Sequence, residues 1–350
     1  MSTRERGSAA SDPAAPAEGA TATSRFDLGR WRDASVRGAA EGKVRAAGIV
    51  IPFVILFVVL SVASSSFATK PNLLNILDQQ SAVLIIAAAG TLVLVAGGID
   101  LSVGAVYALA GVVAAELAQH MAPAPAILIG ILCGFAVGAV NGIVATYFRI
   151  NALIATLAMS FVISGIGSLI THGNLVVLFN HQGFGKLART EFITVKTSIW
   201  IMLVAVVVLG LFLARTTLGR YMYAAGGNAE AARIAGVHVN RTRVVSFMLS
   251  GGAAGLAGVI DASRVLSAQS ASGSGDALTF TVLAGIVVGG TSILGGEGAV
   301  WRTVVGVLFI ALIGNGYDLL GLNPLYEQIT LGAIMLLAVG IDAWARQRRS

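Results

Sequence analysis

The 350-residue chain is 56% hydrophobic and only 11% charged, with a mean hydropathy of +0.84, whereas soluble domains carry about 25% charged residues. A soluble core cannot hold so many apolar side chains, so lipid must cover part of them. The formal net charge is +6, but the cations flank apolar runs and do not form a patch interleaved with aromatics, so no nucleic-acid partner is expected.

Residues 1 to about 43 are rich in Ala, Ser, Gly and Arg without apolar periodicity, and read as a disordered cytoplasmic tail. The first apolar run, Ala46 to Ala68, is longer and begins later than the 7–15-residue core, roughly, of a secretory signal. It reads as an uncleaved membrane helix. Nine further candidates follow: Ser81–Val95, Val103–Leu117, Ala126–Phe148, Ala152–Ile170, Ile199–Ala214, Val244–Ala262, Phe280–Ile293, Val300–Ile313 and Ile329–Trp344. A span needs roughly 20 mostly apolar residues. Several runs are short or broken by glycine, which a membrane tolerates where backbone lines a cavity or is buried in protein. The expectation is an all-α, polytopic membrane protein of about ten transmembrane helices. Its permease domain covers residues 44–345, and residues 346–350 form a basic cytoplasmic tail.

Alternating ten spans from a cytoplasmic N-terminus places 18 of the 23 Lys and Arg residues inside. The outside segments then keep Lys70, Lys186, Arg189, Lys196 and Arg264. Positive charge favours the cytoplasmic side, so both termini are expected there, in a cell (inner) membrane. On this count the loops at 171–198 and 263–279 lie outside, and the loop at 215–243 lies inside. The single cysteine, Cys133, excludes an internal disulfide and a cysteine-based metal site. His120, His172, His181 and His238 are too scattered to propose a metal.

The inside loop holds the most distinctive pattern, Gly226-Gly227-Asn228-Ala229-Glu230-Ala231-Ala232-Arg233-Ile234-Ala235-Gly236-Val237. Asn228 is a good N-cap, Glu230 suits the positive end of a helix, and Gly236 suits a C-terminal stop. A helix over Ala229–Ala235 is predicted. It is too short to span a membrane, and is either a docking element or an idle surface helix.

Glu230-Ala231-Ala232, followed after three residues by Gly236, resembles the Glu-Ala-Ala…Gly signature of ABC importer permeases. The fuller run through Val237 is similar to the cytoplasmic loop of the ribose/xylose/galactose group of sugar permeases. The resemblance covers roughly residues 46 to 343. It implies that Asn228, Glu230, Ala231, Ala232 and Gly236 form a coupling element inserted into a groove of an ABC ATPase subunit. It further implies an extracytoplasmic sugar-binding protein and a second permease copy, in a homodimer or heterodimer.

Gly97-Gly98-Ile99-Asp100-Leu101-Ser102-Val103-Gly104 resembles that family's most recognisable motif. Asp100 lies close to membrane depth, where an ionisable group is costly unless paired or wet. It either caps an ordinary turn or belongs to a functional break; Gly97, Gly98, Asp100 and Ser102 are candidates for the translocation path. Gly289-Gly290-Thr291-Ser292-Ile293-Leu294-Gly295-Gly296 also resembles the family and weakly echoes the earlier motif. Gly130, Gly134, Gly138 and Gly142 mark a face for close helix packing. Asn141, beside them, is a further path candidate, although an interhelical hydrogen bond is its commoner use.

Leu249-Ser250-Gly251-Gly252 begins like an ABC ATPase signature, but Ala253 follows and apolar sequence surrounds it. There is no phosphate-binding loop and no evident nucleophile–base pair. The chain is therefore not expected to be an enzyme, to have catalytic residues or to need a cofactor. Asp100, Glu116 and Asp261 are the chief ionisable residues inside apolar segments. Such scarcity disfavours a proton-coupled carrier. Two alternatives remain: a branched-chain amino-acid ABC permease, and an ATP-independent secondary transporter.

Overall fold

The computed structural model describes residues 48–148, 150–270, 274–323 and 325–347. The expected tail at 1–43 and residues 348–350 lie outside them. The chain is helical: α1 (Gly48–Ala63), α2 (Lys70–Gln79), α3 (Ser81–Val95), α4 (Val103–Ala118), α5 (Pro123–Tyr147) and α6 (Ala152–Thr171) come first. Then follow α7 (Gln182–Arg189), α8 (Thr197–Arg215), α9 (Thr217–Gly227), α10 (Ala229–Ile234), α11 (Val239–Val265), α12 (Ser274–Val288), α13 (Val300–Leu319) and α14 (Leu325–Gln347). Four two-residue strands make two small ribbons: β1 (Val176–Val177) pairs with β4 (Ser267–Ala268), and β2 (Glu191–Phe192) with β3 (Val195–Lys196).

Each of the ten predicted runs falls on a helix. Five helices, α5, α6, α8, α11 and α13, are long and apolar enough to cross a membrane. The pair α2 and α3, bent by 52° at Gln80, makes a sixth candidate, while α1, α4, α12 and α14 hold shorter apolar stretches. Several boundaries differ from the sequence reading, two of them across an expected loop or tail limit. Helix α12 starts at Ser274, inside the expected outer loop, and α14 continues to Gln347, into the expected basic tail.

Burial sorts the helices into layers. All 15 residues of α3 are buried, as befits a helix that is apolar all round. In contrast, α5, α6 and α8 expose Leu128, Leu132, Phe161, Leu169, Val204 and Leu211. Only lipid or another subunit can cover such a surface.

Helix α11 is the central strut, packed against α5, α4 and α3. The glycine stripe of α5 explains its close seat. A Cβ built on Gly134 would fall 2.4 Å from the Gly251 carbonyl oxygen, and one on Gly138 would fall 2.4 Å from that of Phe247. Without hydrophobic drive between helices in lipid, this close backbone packing holds them together.

The two ends of α11 carry different structures. Helices α9 and α10 precede its N-terminus. At the other end, the far end below, α7 docks through Ser263, whose hydroxyl donates to the Phe184 carbonyl (2.7 Å) and accepts from Ala188 N (3.2 Å). At 27 residues, α11 separates the two ends by about 40 Å at roughly 1.5 Å per residue.

Candidate functional site

Helix α10 is short because both of its ends are strongly signalled. Asn228, in extended conformation, accepts hydrogen bonds from Glu230 N (3.1 Å) and Ala231 N (3.0 Å). At the other end Gly236 has φ +85°, its N–H reaches Arg233 O (3.0 Å), and Val237 N reaches Ala232 O (2.9 Å). These two bonds form a Schellman stop, which needs a left-handed residue and so favours glycine. Ala232 is buried against Ala225, Val237 and Val239. Glu230, Ala231, Arg233 and Ile234 face outward, with Ile234 82% exposed. The helix thus shows a small, partly apolar outer face with an exposed Glu230–Arg233 pair at 2.7 Å.

Immediately behind α10, the three double-glycine motifs meet. A Cβ on Gly226 would lie 1.9 Å from Val95 O and 2.5 Å from Gly296 N. One on Gly295 would lie 2.8 Å from Gly97 Cα, and one on Gly296 2.6 Å from Gly227 Cα. Gly296 N donates to Val95 O (2.9 Å), which ties the segment after α12 to the end of α3. Tyr223 of α9 donates to Gly298 O (2.7 Å), and Arg243 of α11 donates to Ala96 O (3.1 Å). Backbone therefore touches backbone between residues 95–97, 226–227 and 295–296. Such a junction can slide or lock, but it has little room to deform.

From that junction the chain leads to Asp100, which is 5% exposed. Its Oδ1 accepts from Ser102 N (3.0 Å) and Ser102 Oγ (2.6 Å), and its Oδ2 accepts from Ser250 Oγ (2.9 Å). Asn141 Nδ2 donates to Ser102 Oγ (2.6 Å). Leu101 N donates to the Thr156 hydroxyl (3.0 Å). One buried carboxylate thus pins the start of α4 to the middle of α11, and through Ser102 to α5. Its position at the N-terminus of α4 also suits a negative charge.

Two cavities lie on either side of this node along α11. The larger, about 700 Å³, is at the α10 end and is lined by Gly97, Gly98, Arg233, Asn240, Arg243 and Phe247, among others. The other, about 270 Å³, is at the far end and is lined in part by Gly258, Asp261 and Val265. The positions Asn240, Arg243, Phe247, Ser250, Ala254, Gly258, Asp261 and Val265 advance by three or four residues and so share one face of α11. Cavity, buried node and cavity are strung along that single stripe.

The sequence matches, over residues 72–339, the family described as branched-chain amino acid transport system / permease component. It is 38% identical over 297 residues to the ribose import permease protein of Escherichia coli (strain K12), covering 84% of this chain and 92% of the relative. It is 36% identical over 318 residues to the L-arabinose ABC transporter permease protein of Azospirillum brasilense, covering 90% and 93%. It is also 36% identical over 304 residues to the ribose import permease protein of Bacillus subtilis (strain 168), covering 86% and 94%. The chain belongs to this permease family. No solved structure matches it.

In this permease the five loop residues read from the sequence, Asn228, Glu230, Ala231, Ala232 and Gly236, fall on one capped helix and its stop. Of the path candidates, Gly97 and Gly98 line the larger cavity, whereas Asp100, Ser102 and Asn141 are buried between helices. Asn141 makes the interhelical bond that its residue type favours. Sequence reasoning missed Ser250 as the partner of Asp100, because it sits inside a coincidental signature-like string. It also missed Arg243 and Tyr223, whose bonds span 147 and 75 residues.

Proposed function

We propose that the permease is the translocation subunit of an ATP-driven, binding-protein-dependent sugar importer. The observation that carries this reading is α10, a rigidly capped helix with an exposed outer face, seated on the junction that leads to Asp100. Its relatives include ribose and arabinose permeases, which favours a sugar as cargo. A separate ABC ATPase subunit docks on α10 and hydrolyses ATP. An extracytoplasmic sugar-binding protein delivers cargo at the far end. The chain works as a pair with a second permease copy, the same or a homologue, inside the lipid bilayer. Both termini are cytoplasmic, so α10 faces the ATPase.

Closure of the ATPase moves α10, and Gly226-Gly227 pass that displacement to residues 95–98. Asp100 then trades its bond to Ser250 for water or cargo, and the barrier between the two cavities opens. The energy comes from the partners, and the permease supplies two packed states and a path.

The family description, branched-chain amino acid transport, supports a second reading of the cargo. Reconstitution with the ATPase and binding protein separates the two. ATP-dependent uptake of a labelled pentose supports the sugar reading. ATP-dependent uptake of leucine alone replaces it.

A further inference from the structure

The far-end cavity has features that helix packing alone does not require. Its volume is about 270 Å³, just below the roughly 300–1,000 Å³ typical of drug-sized ligand pockets. Its wall combines Tyr107 of α4 with Asp261 of α11 and with Ser267 and Gln269 beyond it, against apolar Leu175, Val265 and Leu278. The Tyr107 hydroxyl lies beside the Asp261 carboxylate. Arg264 fixes that carboxylate from behind, with Nη2 at 2.5 Å and Nε at 3.1 Å from the same oxygen. This leaves Asp261 only partly exposed, at 23%. Gly258 makes the arrangement possible, because a Cβ there would fall 1.9 Å from Tyr107 O and push α4 away.

We infer that this pocket is a monosaccharide subsite at the outer mouth of the permease. The inference rests on the sugar-importer reading and deepens it. A carboxylate, an amide, a phenol and a hydroxyl arranged around apolar surface suit the hydroxyls and ring face of an uncharged sugar. Arg264 donates both of its bonds to Asp261 Oδ1, so Oδ2 is the oxygen better placed to accept a sugar hydroxyl. The described wall holds no Lys or Arg, and Arg264 is engaged with Asp261, so nothing there is placed to take the carboxylate of an amino acid. An ionisable residue within a membrane helix marks a substrate path when it faces a cavity. The pocket also shares the α11 stripe with Ser250 and the larger cavity, so cargo leaving it meets the Asp100 node next.

The test uses the complete importer in liposomes, permease with ATPase and binding protein, and labelled aldopentoses, aldohexoses and their deoxy analogues. Asp261→Asn and Gln269→Ala are the variants; Gln269 is exposed, so its truncation leaves the fold intact. The expected result is about a tenfold loss of uptake at limiting sugar in Asp261→Asn, the worth of one charge-assisted hydrogen bond. Discrimination against one deoxy analogue should shrink in parallel. Wild-type uptake and discrimination in both variants would overturn the subsite and leave the sugar-importer reading standing. A wild-type importer that moves leucine and no sugar would overturn both.

Discussion

Ser250 donates its hydroxyl to Asp100 Oδ2 over 2.9 Å, joining residues 150 apart in sequence at the middle of the bundle. Removing that hydroxyl leaves a buried carboxylate oxygen without its donor. Ser250→Ala should destabilise the folded permease by about 1.5–3 kcal/mol, the range for a bond to a charged group. Ser246→Ala is the control, since its hydroxyl only returns to Arg243 O on its own helix, and should cost about 1 kcal/mol or less. Chemical unfolding in detergent, followed by tryptophan fluorescence, compares the two.

The double-glycine pair ahead of α10 offers a sharper contrast. A Cβ on Gly226 meets Val95 O at 1.9 Å, whereas one on Gly227 meets nothing within 4 Å. Gly226→Ala should cut ATP-driven uptake by roughly tenfold or more, since backbone cannot yield the space without moving the junction. Gly227→Ala should stay within about twofold of wild type, as surface changes do. Initial uptake rates at equal permease density in vesicles make the comparison. Equal loss in both would show that the close approach at Gly226 does not matter.

The exposed Glu230–Arg233 pair separates docking from folding. An exposed ion pair contributes about 0–1 kcal/mol, so Glu230→Ala should barely change the unfolding midpoint. It should nevertheless uncouple ATP hydrolysis from uptake, because Glu230 stands on the outer face of α10. Parallel assays of phosphate release and sugar uptake on one preparation measure the split.

Removing the cap tests α10 itself. Asn228→Ala deletes the acceptor for two backbone N–H groups and should cost roughly 1 kcal/mol of local helix stability. Amide hydrogen exchange should rise over residues 229–235 and stay unchanged in α11. Exchange that rises equally across α11 would mean that α10 is not a separate unit.

Much of this arrangement was legible in the sequence, and the limits have physical causes. The ten apolar runs and the ends of α10 are encoded locally, by periodicity, by Asn228 and by Gly236. The stripe Gly130, Gly134, Gly138 and Gly142 correctly marked a packing face, because spacing by four puts one side of a helix against its neighbour. Ser250 was read as a chance match because its role exists only when α11 crosses the start of α4. The meeting of Gly97, Gly226 and Gly295 is equally non-local. Each glycine pair was read within its own motif, and only the fold shows that all three occupy one place. The far-end helix α7 lacks a membrane-length apolar run, so a search for spans passes over it.

The central claim is that α10 couples an ATPase to the path through the permease. Its most direct test is ATP-dependent sugar uptake in liposomes holding the permease, its ATPase and its binding protein, comparing wild type with Gly236→Pro. Gly236 needs φ +85°, which proline cannot adopt, so the stop of α10 is lost while the membrane helices remain. The account predicts that uptake is abolished while the variant stays inserted and folded and ATP hydrolysis persists uncoupled. Unimpaired uptake in Gly236→Pro, or wild-type uptake that continues without ATP, would contradict it.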